Sequence, residues 1–172
     1  MRAVLDACVL YPSVLRRILL GVAEAGLIAP LWSPRLLEEW VRTAERRGDG
    51  PEARAAIAQL AAHRPEAMVV PDPAVEARLW LPDPADAHVL AAAIEGRAEA
   101  IVTLNLRDFP RGALAPEGLR AVHPDALLME LWLAAPEGVE AACSAALGVP
   151  AGDARGALKR ARLPRLAKAL AA

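Results

Sequence analysis

The sequence predicts an α/β protein built on a mostly parallel sheet, with more helix than strand. Short apolar runs alternate along the chain with longer segments whose apolar residues recur at helical spacing. This alternation is typical of parallel strands joined by right-handed helical crossovers. Alanine makes up 40 of the 172 residues, and its high helix propensity favours a helix-rich fold. A chain of this length has room for a single domain with a proper core.

The first elements are a strand and a helix. Residues 2–5 form a short apolar run that Asp6 ends, so we expect a buried strand there. Apolar residues at helical spacing predict a helix over 12–25, and Gly26 is placed to stop it in a left-handed conformation. A second apolar run covers 27–32. The chain therefore begins as a strand–helix unit.

A capping residue followed by proline marks the next helix. The pair Ser33 and Pro34 predicts a helix over 34–47. An alanine-rich helix is expected over 52–63, after a break that contains glycine and proline. The short β-branched run at 68–70 predicts an edge strand.

The second half repeats the pattern. Asp83 and Pro84 predict another helix start, and Val89 and Leu90 belong to the buried stripe of that helix. The remaining elements are expected in this order: a strand over 100–103, a loop over 105–110, a strand over 120–123 and a helix from Pro124.

Charge and cysteine content exclude several classes of protein. Twenty basic and 21 acidic side chains leave a net charge of -1, which argues against binding nucleic acid by bulk charge alone. Cys8 and Cys143 are too few for a disulfide framework, and their spacing does not suggest a zinc site. Asp6 interrupts any signal-peptide core, and no apolar run reaches the length of a membrane span. We expect a soluble cytoplasmic protein that does not contact membranes.

The composition changes after Pro150. Residues 151–172 carry six basic groups and one acid, a net charge of +5, against -6 for residues 1–150. We expect a separate basic helix or a disordered arm. Leu158, Leu163, Leu166 and Leu170 recur near helical spacing, so the segment could pack its apolar side on the domain. It would then place Arg155, Lys159 and Arg162 toward RNA or toward an acidic partner, or it could be a solvated, frayed end.

Polar side chains follow the predicted strands. In an open parallel sheet, groups beyond the carboxyl ends of strands converge on one crevice. Asp6, Asn105 and Asp108 occupy such positions, and Asp86 extends the apolar stripe of its helix toward the sheet. Asp83 is expected to be the cap of that helix.

Periodicity does not choose between two glutamates on the helix after Ser33. Glu38 and Glu39 flank its apolar face almost symmetrically, and either could be a solvated acid. His88 is expected to face away from the pocket as a surface residue.

Several carboxylates in one crevice repel each other unless a cation neutralises them. Oxygen ligands select Mg²⁺ or Mn²⁺ over zinc, and a largely hydrated Mg²⁺ suits phosphate substrates. The acids therefore point to metal-assisted phosphodiester hydrolysis.

Three segments together resemble the PIN-domain family. They are the apolar strand ending in Asp6, SPRLLEEW at 33–40, and PDPADAHVLAAA at 82–93 followed by IVTLNLRDFP at 101–110. The resemblance covers about residues 1–130. It implies a three-layer α/β/α sandwich with a central parallel sheet. We expect this domain to span residues 1–135 and a C-terminal helical extension with a basic tail to follow over 136–172.

The resemblance also assigns candidate residues. It implies a catalytic set of Asp6, Glu39, Asp86 and Asp108, with metal held by Asp6, Asp86 and Asp108. Asn105 and Thr103 would support them, and Asn105 stands where other members carry Asp. The implied activity is a Mg²⁺- or Mn²⁺-dependent endoribonuclease that leaves a 5′-phosphate and a 3′-hydroxyl. The implied partners are an RNA substrate, an antitoxin protein if the chain is the toxin of a toxin–antitoxin pair, and a second copy in a homodimer.

Two other functions are alternatives to the nuclease. An aspartyl-phosphate enzyme also carries an Asp after its first strand, but Cys8 stands where an Asp-x-Asp motif needs its second Asp, and residues 1–150 contain no lysine to contact a phosphoryl group. A catalytically weak PIN-like domain that binds RNA or a partner without cutting is the remaining alternative.

Overall fold

The computed structural model describes residues 1–171, in which four parallel strands form one sheet. The strands are β1 (Arg2–Leu5), β2 (Ala29–Leu31), β3 (Ala100–Val102) and β4 (Arg120–Val122). Their order is β2-β1-β3-β4, and every neighbouring pair is parallel. The predicted α/β class is confirmed.

Helices connect and cover these strands. In chain order they are α1 (Ala7–Leu10), α2 (Ser13–Glu24), α3 (Pro34–Glu45), α4 (Gly50–His63), α5 (Pro73–Ala77), α6 (Ala87–Glu95), α7 (Arg111–Leu114), α8 (Pro124–Ala134), α9 (Pro136–Leu147), α10 (Arg155–Arg160) and α11 (Pro164–Ala169). The sequence pattern predicts α2, α3 and α4 but not the short α1. Within residues 1–171, none of the helices combines the length and the apolar character needed to cross a membrane.

Two crossovers run in opposite directions over the sheet. α2 leads from β1 to its neighbour β2, whereas α6 leads back past β1 to β3. Right-handed crossovers in opposite directions pass over opposite faces of a sheet. α6 therefore covers one face, against β1 and β3, while α2 and the helix α9 packed on it cover the other. The three-layer arrangement agrees with the predicted sandwich.

The predicted caps explain where the helices begin. The Ser33 hydroxyl accepts a hydrogen bond from the Leu36 N–H at 3.3 Å, and the Asp83 carboxylate accepts one from the Ala85 N–H at 2.9 Å. At the end of α2, Gly26 adopts the predicted left-handed conformation with φ +73°. These three predicted helix boundaries are confirmed, because each depends only on residues that are close in the sequence.

The edge strand predicted at 68–70 is wrong. Trp32 and Met68 form a single isolated parallel bridge instead. The neighbouring chain turns into α3 at Ser33, and Val70 is left 74% exposed. One bridge is therefore all that this short β-branched run forms.

After Pro150 the described residues form helices whose leucines pack on the domain, as their helical spacing predicts, and not a separate helix or a disordered arm. The segment forms α10 and α11, and α11 begins at Pro164. α11 packs on α8. Leu158, Leu163 and Leu166 are fully buried. Their burial joins this basic segment to the rest of the fold.

Asp125 of α8 fastens α11 to the domain. Its side chain is buried, and its two oxygens accept hydrogen bonds from the N–H groups of Arg165 and Leu166, both at 3.0 Å. These N–H groups lie in the first turn of α11, where a helix has no internal acceptors. A side chain from another helix therefore acts as the cap of α11.

Replacing this cap is expected to destabilise the protein. Asp125→Ala leaves two amides at a helix start without their acceptor, which should lower the free energy of unfolding by about 1 to 3 kcal/mol. Urea denaturation checks this, with Asp153→Ala as a control because Asp153 is an exposed acid of the same segment. A loss below about 0.5 kcal/mol for Asp125→Ala, the scatter of ordinary surface substitutions, would contradict the proposed cap.

Candidate active site

The carboxyl ends of β1 and β3 lie side by side where the strand order reverses. β1 leads to β2 on one side, and β3 leads to β4 on the other. Leu5 pairs with Val102, and the Asp6 N–H continues the ladder by donating to the Val102 carbonyl at 3.1 Å. Asp6 and Thr103 are therefore neighbours at the sheet edge. Crevices at such reversals are frequent ligand sites in open α/β sheets.

Asp6 is held through one carboxylate oxygen. The Thr103 hydroxyl donates to Oδ2 at 2.7 Å, and the Cys8 thiol donates to the same oxygen at 3.1 Å. Burial, followed by the charge of Asp6, raises the pKa of the Cys8 thiol to about 12. The thiol therefore keeps its proton and remains a donor. Together the two bonds fix the orientation of the buried Asp6 carboxylate.

The same two side chains anchor the loop after β3. The Asn105 N–H donates to the Thr103 hydroxyl at 3.0 Å, and the Leu104 N–H donates to the Cys8 sulfur at 3.2 Å. Thr103 itself is fully buried. The loop that carries Asn105 is thereby tied to the residues beside Asp6.

Glu39 and Glu38 occupy different environments. Glu39 Oε1 lies 2.8 Å from His88 Nε2 and 3.9 Å from Arg35 Nε, and its side chain is 33% exposed. The Glu38 side chain is 63% exposed and forms an ion pair with Arg42 at 3.4 Å. Glu39, unlike Glu38, lines the cleft that also holds Asp6. The structure thus places in the cleft the glutamate that the family resemblance selects, while its chemical role stays a prediction.

The prediction that His88 lies on the surface is wrong. His88 is 1% exposed, because α6 is buried all around from Ala87 to Ala93, so its apolar stripe does not mark a single inner face. Although Nε2 lies 2.8 Å from Glu39 Oε1, neither ring nitrogen has an aligned hydrogen bond among the described residues. His88 therefore abuts Glu39 without the alignment that a hydrogen bond requires.

Asp86 lies close enough to the other acids for their charges to act on it. Burial and, in decreasing order, the negative charges of Asp108, Asp6 and Asp83 together raise its pKa to about 6, while His88 lowers it. The side chain is half-buried at the start of α6. A carboxyl with this pKa is placed where like charges converge and where a cation would relieve their repulsion.

The candidate site is an open cleft of about 660 Å³. The acids in its lining and the polar groups beside them are Asp6, Cys8, Glu39, Asp86 and Asn105. The basic residues in its lining are Arg42, Arg46, Arg47, Arg160 and Arg162. The cleft therefore combines three carboxylates with five guanidinium groups.

Some predicted residues lie outside this lining. Asp108 is not in it, although its charge acts on Asp86. Arg155 and Lys159 are also absent from it, whereas Arg162 is present.

Sequence reasoning missed several residues of the cleft. They are Cys8, Arg42, Arg46, Arg47 and Arg160. Arg42, Arg46 and Arg47 lie near the end of α3, where positive charges complement the helix dipole without any further role. Only the fold shows that they line the same cleft as the acids.

The carboxylates are suited to a hard divalent cation. Within residues 1–171, no three His, Cys, Asp or Glu side chains stand close enough together to form a ready-made metal cage. Mg²⁺ does not need one, because it keeps several waters and is bound through one or two carboxylates. Asp6, Asp86 and Glu39 offer oxygen donors in one cleft, and burial followed by the charges of Asp108 and Asp6 raises the pKa of Asp86. The donor chemistry therefore fits Mg²⁺ or Mn²⁺.

The raised pKa of Asp86, caused first by burial and then by neighbouring acids, predicts a pH dependence for the metal-free protein. Its pKa is about 6 in the folded protein against an ordinary value of 3.8, so the folded state binds more protons between about pH 4 and 6. The free energy of unfolding should therefore fall as the pH rises through this range. The loss at this site is about 1 to 2 kcal/mol, because the value of 1.36 kcal/mol per pKa unit is reduced by solvent screening.

Urea denaturation in chelator at pH 4 and pH 7 measures this effect. Asp86→Asn should lose less stability than the wild type over this interval, and the exposed cap variant Asp72→Asn should behave as the wild type. Equal losses for all three proteins would show that the pKa of Asp86 is not raised in the folded protein.

Comparison with known proteins agrees with this geometry. The sequence profile of the PIN domain family matches residues 2–107, a span that includes Asp6, Glu39, Asp86 and Asn105. A segment of 45 residues is 56% identical to the "Putative ribonuclease VapC50" of Mycobacterium tuberculosis (strain ATCC 25618 / H37Rv), and it covers 26% of this chain and 27% of that protein. No solved structure matches the chain significantly. Since the profile covers well over half of the sequence, the chain belongs to the PIN domain family.

Proposed function

We propose that this protein is a Mg²⁺- or Mn²⁺-dependent endoribonuclease that hydrolyses phosphodiester bonds in RNA. The observation that carries the proposal is the convergence of Asp6, Glu39 and Asp86 in one open cleft at the reversal of the strand order. Membership of the PIN domain family and the name of the partly aligned relative support it. The aligned segment is only about a quarter of that relative, so the activity of this chain is a proposal in its own right.

The residues of the cleft would have different roles in binding the cation. Asp6, held by Thr103 and Cys8, and Asp86 would bind the cation directly, and Asp108 would add negative charge beside them. A bound divalent cation supplies Lewis acidity and lowers the pKa of coordinated water. Fixing Asp6 in one orientation before substrate arrives reduces the reorganisation that binding would need.

Glu39 is positioned to act as a general base for the water that attacks phosphorus. Its carboxylate lies in the cleft, partly exposed, and could accept a proton from that water. The oxygen of water forms a new bond to phosphorus while the bond from phosphorus to the 3′ oxygen breaks, and the departing oxygen takes up a proton. The products are a 5′-phosphate and a 3′-hydroxyl.

The finer assignments follow from the family resemblance. We propose that the protein acts on RNA in the cytoplasm. We also propose that it is the toxin of a toxin–antitoxin pair, with a protein antitoxin as partner and a homodimer as its working form.

The test uses purified protein and a pool of structured and unstructured RNAs. Cleavage should occur with Mn²⁺ and stop with excess chelator, and the new ends should be 5′-phosphates and 3′-hydroxyls. Undiminished cleavage in chelator would refute metal dependence. Tight RNA binding without cleavage under any divalent ion would favour the alternative of a catalytically weak binding domain.

A further inference from the structure

We propose that α3 and the C-terminal extension together form an arginine wall that binds phosphates of single-stranded RNA beside the carboxylates, a proposal that rests on the proposed ribonuclease activity. The arginine wall consists of Arg42, Arg46, Arg47, Arg160 and Arg162, all exposed and all lining the cleft. Arg160 and Arg162 come from the segment that Asp125 and three buried leucines fasten to the domain. A part of the chain outside the matched family region thereby completes the cleft.

The charge of the cleft requires such a wall. Three carboxylates alone would repel a polyanion, whereas five guanidinium groups give the lining a net charge of +2. The planar guanidinium group binds phosphate through paired hydrogen bonds. A phosphodiester placed at Asp6 for cleavage therefore has its neighbouring phosphates within a positively charged surface.

Most of these arginines are free to bind a ligand. Among residues 1–171, Arg46, Arg47, Arg160 and Arg162 make no salt bridge with an acid, and in the wall only Arg42 has such a partner, the exposed Glu38. Elsewhere on the surface Arg35, Arg54, Arg78 and Arg120 are paired with glutamates, whereas among the described residues Arg97, Arg107 and Arg111 form no salt bridge but are scattered outside the cleft lining. The wall therefore holds positive charge that the protein itself does not neutralise.

The backbone at Arg162 makes this side chain suitable for a test by substitution. Arg162 follows the end of α10 with φ +62°, a left-handed conformation that costs free energy for a residue with a Cβ atom. Glycine occupies this conformation at Gly26 and Gly148, which follow α2 and α9. The Arg162 side chain lines the cleft, and glycine can replace it without a steric cost to the backbone.

RNA fits the wall better than an acidic protein does. The carboxylates repel any polyanion, but only a phosphodiester has a reason to lie against them, because it is the bond to be cut. An acidic peptide would be attracted by the arginines and repelled by the acids, and it contains no phosphodiester bond that would need to lie beside the acids. We therefore assign the wall to RNA phosphates.

Arg97 provides a matched control for Arg162. It is also an exposed arginine in the left-handed region, with φ +49°, and it follows the end of α6 outside the cleft lining. Arg162→Gly and Arg97→Gly each remove one positive charge and one strained side chain. Both variants should fold as stably as the wild type, since glycine adopts this conformation without steric cost.

The experiment measures binding of a short, labelled single-stranded RNA to the full-length protein in chelator, over a range of salt concentrations. Arg162→Gly should weaken binding about 5- to 10-fold at low salt and reduce the slope of log affinity against log salt by about 0.7, the value for one lost phosphate contact on a single strand. Arg97→Gly should change neither quantity beyond a small effect of net charge, and Arg162→Lys should keep the slope.

Three outcomes would overturn the proposal. Arg162→Gly could bind RNA like the wild type, or Arg97→Gly could weaken binding equally, which would mean bulk charge alone. The third is that polyglutamate binding falls in Arg162→Gly while RNA binding does not, which would assign the wall to an acidic protein. Because binding is measured without metal, failure of the proposed ribonuclease activity is distinguishable: RNA bound through Arg162 but never cut refutes the activity and leaves the wall in place.

Discussion

Asp6→Asn is expected to abolish RNA cleavage while the protein remains folded. Asp6 combines three features: it ends β1 at the reversal of the strand order, it is nearly buried, and Thr103 and Cys8 fix its carboxylate. Asparagine keeps the shape but removes the negative charge that would bind the cation. The loss should exceed the roughly 10- to 100-fold cost of removing a group that only orients a metal ligand.

Single-turnover cleavage of one RNA in Mn²⁺ measures this loss, and thermal unfolding verifies the fold. Asp72→Asn is the matched control, because Asp72 is an exposed cap of α5 and asparagine caps a helix equally well. A folded Asp6→Asn protein that cuts within about threefold of the wild-type rate, a difference of well under 1 kcal/mol, would exclude Asp6 from the chemistry.

Glu39→Gln is expected to lose about 100- to 10,000-fold in cleavage rate, the usual contribution of a side chain that transfers a proton in the transition state. Glu38→Gln is expected to retain the wild-type rate. The two residues are adjacent and chemically identical, but only Glu39 faces the cleft and His88, whereas Glu38 is exposed beside Arg42. The pair therefore controls for substitution chemistry, helix position and net charge at once.

The same cleavage assay compares the two glutamine variants. Equal activity of both would remove Glu39 from the mechanism. Loss of activity in Glu38→Gln alone would mean that the functional face of α3 is shifted by one residue from the one described.

Local signals predicted much of the fold. Asp6 at the end of an apolar run, Ser33 before Pro34, and Gly26 after a helical pattern each specify a boundary through neighbouring residues alone, and each boundary lies where it was predicted. The parallel sheet followed from the alternation of such units. The acids of the cleft could be proposed for the same reason, since the carboxyl ends of parallel strands share one edge.

Features that depend on distant residues could not be predicted in this way. Glu38 and Glu39 are symmetric on the helix wheel, and only the approach of α6 places one of them against His88. The apolar stripe of α6 predicted a single inner face, but α6 is buried on all sides because its small side chains allow neighbours to pack closely around it.

The arginine wall escaped prediction for a similar reason. Arg46 and Arg160 are more than 100 residues apart in sequence and meet only because α10 and α11 dock on the domain. The basic character of the C-terminal segment was evident from composition, but the choice of Arg160 and Arg162 over Arg155 and Lys159 required the fold.

The central claim is that the carboxylates of the cleft hold the divalent cation on which RNA cleavage depends. Titration calorimetry with Mn²⁺ alone tests it most directly, because it requires neither the RNA target nor turnover. The wild type and Asp72→Asn should bind Mn²⁺ with the same affinity, and Asp6→Asn and Asp86→Asn should each bind at least about tenfold more weakly, a loss of about 1.4 kcal/mol. Wild-type protein that binds no Mn²⁺ at millimolar concentration, or that binds it equally well without Asp6 and Asp86, would contradict the claim.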